Sequence, residues 1–243
     1  MYRRFFLIKI ILCIKFDIVT FNNIMPELIN NHKVVAKAFK HLENDPVLGY
    51  FIKIFGDKIN PTERYDSNYA LSICNLIIEQ QISFKAAITI KKKFSKLING
   101  KSNKEILRMK NNNIQKIGIS NRKVLYMKNV LLFFMKNKIK IEDLSNDQVI
   151  NTLISIKGIG KWTCEMFLMF VCLRKDIFSF GDLALINSIK KNYSISDNKI
   201  LKLITETWAP YRTIAALLIW YSIENKIFFQ KNNYLKKFLS TLK

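Results

Sequence analysis

Glycine and proline are scarce in this chain, and their scarcity limits the folds that it can adopt. The 243 residues include 7 Gly and 4 Pro. β-Sandwiches and β-barrels need many tight turns, which these two residues normally supply. Apolar residues make up 49% of the chain, which is enough for a substantial core and too many for a disordered basic tail. The composition therefore predicts an all-α fold of one or two domains.

The chain is strongly basic. Lys and Arg number 40 against 18 Asp and Glu, a formal net charge of +22. A charge of this size indicates a polyanionic partner, either nucleic acid or an anionic membrane surface. However, 33 of the basic residues are Lys and the chain also holds 24 Asn, a pattern typical of AT-rich codons, so part of the charge reflects base composition. The longest uncharged apolar-rich run, residues 213–223, is shorter than the ~20 residues that span a bilayer.

Cysteine and histidine usage argues against a metal centre. The two histidines belong to no catalytic motif, and no Cys pair has the spacing of a zinc or iron–sulfur site. The four cysteines are Cys13, Cys74, Cys164 and Cys172. The last three lie in apolar stretches, which predicts buried, reduced thiols and a reducing compartment.

Residues 1–24 begin like a signal peptide, with two Arg followed by apolar residues. Lys9 and Lys15 interrupt the apolar run, and no small-residue cleavage site follows. Met25 opens a stretch that is typical of a protein start, so a mis-assigned start codon is the favoured interpretation. Without residues 1–24 the chain keeps 36 basic and 17 acidic residues, a net charge of +19. We predict an extra N-terminal segment at 1–24 and a compact domain at 25–243.

Apolar residues recur at helical spacing along most of this domain. The predicted helical regions are 33–55 with a break at Asp45-Pro46, then 68–98, 103–119 and 124–136. Ser145 and Gln148 form a capping-box pattern that starts a further helix. A Gly-Ile-Gly turn and a nearly all-apolar helix follow. The sequence therefore predicts a helix, a hairpin and a second helix over about residues 147–173.

The hairpin is suited to a phosphate group. Gly158 and Gly160 allow close backbone approach, and the free N–H groups of the second helix carry the positive end of its dipole. Lys157 and Lys161 add charge on either side. Such contacts would position DNA without reading its sequence. On these residues alone, a simple helix–helix turn is an equally good interpretation.

Five stretches, in order, resemble one family. They are Ile78–Ser83 (IEQQIS), Ile117–Ser120 (IGIS) with Lys123, Ile154–Met166 (ISIKGIGKWTCEM), Asp176–Leu185 (DIFSFGDLAL) and Trp208–Arg212 (WAPYR) with Ala215 and Trp220. Together they resemble the helix-hairpin-helix (HhH-GPD) DNA glycosylase superfamily, and within it DNA-3-methyladenine glycosylase II of the AlkA/MAG type. The resemblance spans about residues 40–223. It implies a two-lobed all-α fold with a central cleft, acting as a monomer in a bacterial cytoplasm or a eukaryotic nucleus.

The activity implied by the resemblance is hydrolysis of the N-glycosidic bond of alkylated purines such as 3-methyladenine in double-stranded DNA. The enzyme would flip the damaged nucleotide out of the stack and leave an abasic site. Asp182 occupies the position of the catalytic aspartate, where a carboxylate stabilises the oxocarbenium-like transition state. Asp182 is also a good N-cap for the helix that follows, and the two roles are compatible.

The resemblance places aromatic side chains around the damaged base. Trp162 and Tyr211 are the candidates for stacking on a cationic base, with ordinary core packing as the alternative. Trp208 fits either the core or the rim of the pocket. Bifunctional relatives carry a Schiff-base lysine at the position of Trp162, whereas Lys161 is one residue away. We therefore predict a monofunctional glycosylase without lyase activity. Ser179 departs from the family pattern, because many members have proline there.

The resemblance also implies a DNA-contacting surface. Its residues are Lys157, Gly158, Ile159, Gly160 and Lys161 in the hairpin, Gln80, Gln81, Ile82 and Ser83 in the first stretch, and Gly118, Ser120 and Lys123 in the second. Ile82 is the candidate wedge, with one face of a buried helix as the alternative. A Na⁺ or K⁺ ion on the backbone carbonyls of Ile154, Ile156 and Ile159 is implied as well, and no other cofactor is expected.

Three other functions fit part of these observations. A related glycosylase acting on mismatched or oxidised bases would share the fold and the aspartate. A non-catalytic helix-hairpin-helix module would bind duplex DNA with a steep salt dependence and release no base. A basic protein of the membrane surface would bind anionic lipid instead.

Overall fold

The structure, a computed structural model, describes residue 29, residues 32–230 and residues 233–242. In this part of the chain thirteen α-helices and two short 3₁₀ turns are joined by loops, and no β-strand is present. The all-α prediction is confirmed. The N-terminal segment at 1–24 and the candidate start at Met25 lie outside the described residues.

The helices follow one another closely along the chain. They are α1 His32–Leu42, α2 Pro46–Phe55, α3 Tyr69–Glu79, α4 Phe84–Ile98, α5 Asn103–Arg108, α6 Asn111–Gln115, α7 Asn121–Lys136, α8 Asn146–Ile154, α9 Lys161–Phe170, α10 Leu183–Tyr193, α11 Asn198–Thr207, α12 Arg212–Asn225 and α13 Asn233–Ser240. The 3₁₀ turns are Gly56–Lys58 and Ile141–Asp143.

Short polar side chains set the helix starts. Asp45 caps α2, accepting hydrogen bonds from the backbone N–H groups of Val47 and Leu48. The predicted capping box at Ser145 starts α8, and the Gln148 side-chain oxygen accepts the Ser145 N–H. Each cap satisfies backbone donors that a helix leaves without an internal partner.

The predicted helical region at 68–98 is two helices. α3 ends at Glu79, and Gln81 adopts a left-handed backbone conformation with φ of 56°. Ser83 then caps α4 by accepting from the N–H of Ala86. This turn brings the family-like stretch 80–83 to the protein surface.

The helices pack in two groups. In the first, α3 packs against α4, α7 and α9, α8 against α9, and α5 and α6 against α7. In the second, α2 packs against α1, α12 and α13, and α10 packs against α12. The chain passes from the first group to the second between α9 and α10, in a segment that ends at Asp182. The fold therefore places this residue at the junction of two lobes.

The cysteines of the described residues are free thiols in apolar surroundings. Cys74 and Cys164 are buried, as predicted, and Cys172 is half-buried. Burial raises the pKa of Cys164 to about 11 and that of Cys172 to about 12, so these thiols stay protonated at neutral pH. In the same residues no cluster of His, Cys, Asp and Glu could hold a metal ion. None of the described helices has the length and hydropathy to cross a membrane.

Candidate active site

The two glycines of the hairpin have different surroundings. Gly158 has φ of 106°, a backbone conformation that only glycine adopts readily. A Cβ there would lie 2.1 Å from Cγ of Tyr126 on α7, so Gly158 lets the hairpin pack against this helix. Gly160 has φ of −108°, and a Cβ there would meet no atom within 4 Å. The protein's own packing therefore does not require glycine at position 160.

The hairpin presents a basic surface on a fixed base. Ile156 and Ile159 are buried, and the N–H of Ile159 donates to the carbonyl of Ile156 over 3.0 Å. Lys157, Gly160 and Lys161 are exposed at the start of α9. The first N–H groups of α9 have no side-chain cap. Uncapped backbone donors and two exposed cations thus lie close together, which is compatible with the phosphate site expected from the sequence.

Gln80 and Lys123 hold the site together from inside the protein. The Gln80 side-chain amide donates to the carbonyl of Gly158 and to Oγ1 of Thr163, over 3.2 and 3.0 Å. Lys123 Nζ donates to the carbonyls of Ile78 and Gln80, over 2.9 and 2.7 Å, and so caps the end of α3. Partial burial and neighbouring Arg122 lower the pKa of Lys123. Both polar groups are thus engaged within the protein, Gln80 with the hairpin and Lys123 with the end of α3, and their contact with DNA stays a prediction.

The stretches at 80–83 and 117–123 come together in space. They line a shallow pocket of about 220 Å³, in which Gln81, Gly118 and Ser120 lie beside Arg122. Ser120 caps α7, and Gly118 has φ of 100°. Ile82 lies in the turn rather than on a helix, half-buried against the core. Ser83, the cap of α4, is exposed, as is Gln81.

Both oxygens of Asp182 are held by donors. Oδ1 accepts from the backbone N–H of Leu185 over 2.8 Å and caps α10, as predicted. Oδ2 accepts from the indole Nε1–H of Trp162 over 3.1 Å. The structure thus brings two of the predicted site residues into contact. The carboxylate is half-buried, so it is fixed in orientation while part of it still faces solvent.

An ion pair anchors the other end of the loop that carries Asp182, which we call the Asp182 loop (residues 176–182). Arg212, at the start of α12, donates from Nε and Nη2 to the two oxygens of Asp176 over 2.6 and 2.7 Å. The hydrogen bond with Asp176 raises the pKa of Arg212. Thr213 Oγ1 accepts from the N–H of Ile177 over 3.1 Å. The loop is therefore tied to α12 where it begins and to α9 and α10 where it ends.

Tyr211 precedes this anchor. It is half-buried, and its ring centroid lies 5.6 Å from that of His41. Lys175 Nζ lies 5.6 Å from the centre of the same ring. The partial exposure of Tyr211 and Trp162 is compatible with stacking on a ligand, and both also pack against the core.

Trp208 is a core residue, which is one of the two positions that the sequence left open for it, the other being the rim of the base pocket. Its exposure is 0%, and its Nε1–H donates to Oδ2 of Asp45 over 3.0 Å. The same oxygen accepts the hydroxyl of buried Tyr193 over 2.7 Å. Burial raises the pKa of Asp45, and these hydrogen bonds offset part of that effect. Trp208 packs behind the Asp182 loop against Phe178, at a ring distance of 5.9 Å.

Sequence reasoning missed two apolar side chains that flank Asp182. Phe180 is 51% exposed and Leu183 is 73% exposed. Phe180 stacks edge-on against Phe178 at 4.7 Å. The signal that could have identified them is their place in the chain, because both stand within two residues of Asp182. Apolar walls beside a carboxylate strengthen its electrostatic interaction with a developing cation.

The arrangement of hairpin and aspartate defines a class of protein. Residues 74–210 match the model of the HhH-GPD superfamily, described as base excision DNA repair proteins. The chain belongs to this family, as the sequence resemblance predicted.

Individual relatives narrow the comparison. The DNA-3-methyladenine glycosylase of Saccharomyces cerevisiae is 27% identical over 195 residues, covering 63% of this chain and 66% of the yeast protein. DNA-3-methyladenine glycosylase 1 of Schizosaccharomyces pombe is 32% identical over 155 residues, covering 59% and 68%. The chain thus spans about two thirds of each relative. The structure of the S. pombe 3-methyladenine DNA glycosylase in complex with abasic DNA superimposes with a TM-score of 0.71 and 27% identity, covering 80% of this chain and all of that one.

Substitution of Trp162 tests the indole contact with Asp182. Trp162→Phe keeps an aromatic face but removes the donor to Oδ2, so the carboxylate loses one of its two fixed contacts. We expect the turnover rate on alkylated DNA to fall about tenfold, in line with loss of a hydrogen bond worth ~1–1.5 kcal/mol. Single-turnover base release, measured beside DNA affinity, checks this. Trp220→Phe is the matched control, and an equal loss there would show a general effect of losing an indole.

Proposed function

We propose that this protein is a monofunctional DNA-3-methyladenine glycosylase of type II, which hydrolyses the N-glycosidic bond of alkylated purines in duplex DNA. One observation carries the proposal: the Asp182 carboxylate is held at both oxygens, by the N-terminus of α10 and by Trp162. Trp162 lies on α9, the helix that begins at the basic hairpin. The names of the relatives support the same substrate class.

The proposed reaction begins with binding through the hairpin. Phosphate oxygens accept from the free N–H groups at the start of α9, with Lys157 and Lys161 alongside. The damaged nucleotide leaves the stack, and its cationic base stacks on the half-buried aromatic side chains of Trp162 and Tyr211. No histidine is needed, because a base that already carries positive charge departs without prior protonation.

Asp182 then acts on the sugar. The C1′–N bond breaks with its electron pair going to the base, which becomes neutral, and positive charge develops on the sugar ring. The Asp182 carboxylate stabilises that charge. Water adds to C1′ and gives up a proton to solvent, leaving an abasic site. Phe180 and Leu183 lie within two residues of Asp182 in the chain, and their exposed apolar side chains would help to exclude water from this carboxylate when DNA covers the site.

The absence of a lyase step is part of the proposal. A lyase needs an amine that attacks C1′ and forms a Schiff base. Position 162 is an indole that donates to Asp182. The side chain of Lys161 is 76% exposed, and its Nζ lies 4.0 Å from Oε1 of Glu165. Position 162 therefore offers no amine to attack C1′, and the Lys161 side chain lies next to Glu165 instead.

A monovalent cation at the hairpin is also proposed. Its ligands would be the carbonyls of Ile154, Ile156 and Ile159, where α8 ends. The carbonyl of Ile156 accepts the N–H of Ile159 and keeps a second lone pair for an ion. Carbonyl oxygens at the end of a helix form the negative end of its dipole and suit a hard cation such as Na⁺ or K⁺. The ion would fix the hairpin backbone and attract a DNA phosphate.

The test of the proposed function is a base-release assay. Duplex DNA treated with a methylating agent is incubated with the full chain, and free bases are separated by chromatography. We expect release of 3-methyladenine, and no covalent adduct after borohydride treatment of the reaction. A panel of mismatched and oxidised duplexes is run in parallel. Release from that panel alone would reassign the substrate, and DNA binding without any release would favour the non-catalytic module.

A further inference from the structure

Ser179 lies in the Asp182 loop at a position where the family resemblance leads one to expect proline. Its side chain makes a buried hydrogen bond. Its Oγ donates to Oε2 of Glu165 on α9 over 2.6 Å. Ser179 is 0% exposed and Glu165 is 6% exposed. A hydroxyl–carboxylate bond of this length between buried groups is strong, because it is charge-assisted and shielded from water.

The bond lies close in the chain to the catalytic carboxylate. The carbonyl of Ser179 accepts the backbone N–H of Asp182 over 3.3 Å. Glu165 follows Trp162 by three residues on α9, so the two side chains lie on one face of that helix. α9 therefore holds the loop at two points, through Trp162 to Asp182 and through Glu165 to Ser179.

We propose that Glu165 is a positioning residue for Asp182, acting through its buried hydrogen bond with Ser179. The bond supplies the loop rigidity that a proline would otherwise give. This inference rests on the proposed function and deepens it, because it assigns a role in turnover to a second, buried carboxyl besides Asp182.

The cost of burying Glu165 supports a specific role. Burial is the main cause that raises the pKa of this carboxyl, and the nearby charge of Asp182 raises it further. The Ser179 hydrogen bond and the Lys161 ammonium act in the opposite direction. A second carboxyl beside Asp182 is unfavourable in itself, since like charges repel. An apolar residue would fill the same space without these penalties.

The test measures single-turnover base release and DNA affinity for four variants: Ser179→Ala, Glu165→Ala, Glu165→Gln and the double Ala variant. We expect each Ala variant to release base 10- to 50-fold more slowly, with the dissociation constant for an abasic-analogue duplex within threefold of wild type. Glu165→Gln retains an acceptor for the Ser179 hydroxyl and should stay within threefold of the wild-type rate.

The double variant separates positioning from general damage. If both residues act through their shared bond, the double Ala variant should be no slower than the slower single variant. Two controls delete buried groups elsewhere: Cys164→Ala on α9, and Ser222→Ala, whose hydroxyl donates to the Ile219 carbonyl in α12. These should fold and turn over normally.

Three results would overturn the proposal. The first is a wild-type rate in Ser179→Ala, and the second is independent losses that multiply in the double variant. The third is an equal loss in a control of matched melting temperature. A wild-type protein that releases no alkylated base would instead overturn the proposed function, so the two failures are distinguishable.

Discussion

Asp182→Asn is expected to abolish release of 3-methyladenine while leaving DNA binding within a few-fold of wild type. The substitution removes the negative charge that stabilises the oxocarbenium-like sugar. Loss of a preorganised electrostatic contact of this kind costs at least about 10²–10³ in rate. Binding is spared because the hairpin, with Gly160, Lys157 and Lys161, is a separate surface at the start of α9.

Asn is the right replacement because position 182 also begins a helix. Asn caps helices about as well as Asp, so α10 keeps an acceptor for the Leu185 N–H. The Asn side chain has only one oxygen, so it cannot accept from the Leu185 N–H and also from the Trp162 indole. We expect the free energy of unfolding to fall by about 1 kcal/mol. Asp182→Ala loses the cap as well and should be less stable than Asp182→Asn by about 1 kcal/mol.

The measurement is base release under single-turnover conditions, with DNA affinity and thermal melting of the same preparations. The control is Asp197→Asn, which changes a second aspartate that caps a helix, α11. Full activity in Asp182→Asn would remove the catalytic assignment. Lost binding in parallel with lost release would indicate a structural role only.

Local signals in the sequence were enough to predict much of the fold. Asp45 followed by Pro46, Ser145 with Gln148, and Asp182 are each helix starts in the structure. Such caps can be read from sequence because donor and acceptor lie within three residues of each other. The break at residues 80–83 carried the same kind of signal in Ser83, and it was outweighed by the continuous apolar pattern around it.

Side-chain roles that depend on distant partners could not be predicted in the same way. Trp208 is buried because Asp45, 163 residues earlier, accepts its indole hydrogen. Gln80 and Lys123 were assigned to DNA by motif, yet their hydrogen bonds go to backbone carbonyls of neighbouring segments. A motif shows which residue types occur at a site. It does not show whether their side chains contact the ligand or position another group that does. The pair of Glu165 and Ser179 is a further example.

Alanine at Gly158 should lower the stability of the protein, whereas alanine at Gly160 should lower its affinity for DNA, although only one residue separates the two glycines. Gly158→Ala places a methyl group against Tyr126 at a backbone φ of 106°. Backbone strain and overpacking each cost about 1–3 kcal/mol, so we expect the free energy of unfolding to fall by about 2–6 kcal/mol. Gly160→Ala adds a methyl group in open space at an ordinary φ, and its free energy of unfolding should change by less than ~1 kcal/mol.

For the folded protein, DNA affinity should depend more on Gly160 than on Gly158. Gly160 is the N-cap of α9, so an added methyl group would compete for space with a phosphate bound at the first N–H groups of this helix. We expect at least a tenfold loss of affinity, about 1.4 kcal/mol. Exposed lysines on other helices, such as Lys199 and Lys236, are the controls. Each Lys→Gln change removes one cation from a chain of net charge +22 and should weaken binding only mildly. Equal effects from Gly160→Ala and from single lysines would show that diffuse charge, rather than the hairpin, carries DNA binding.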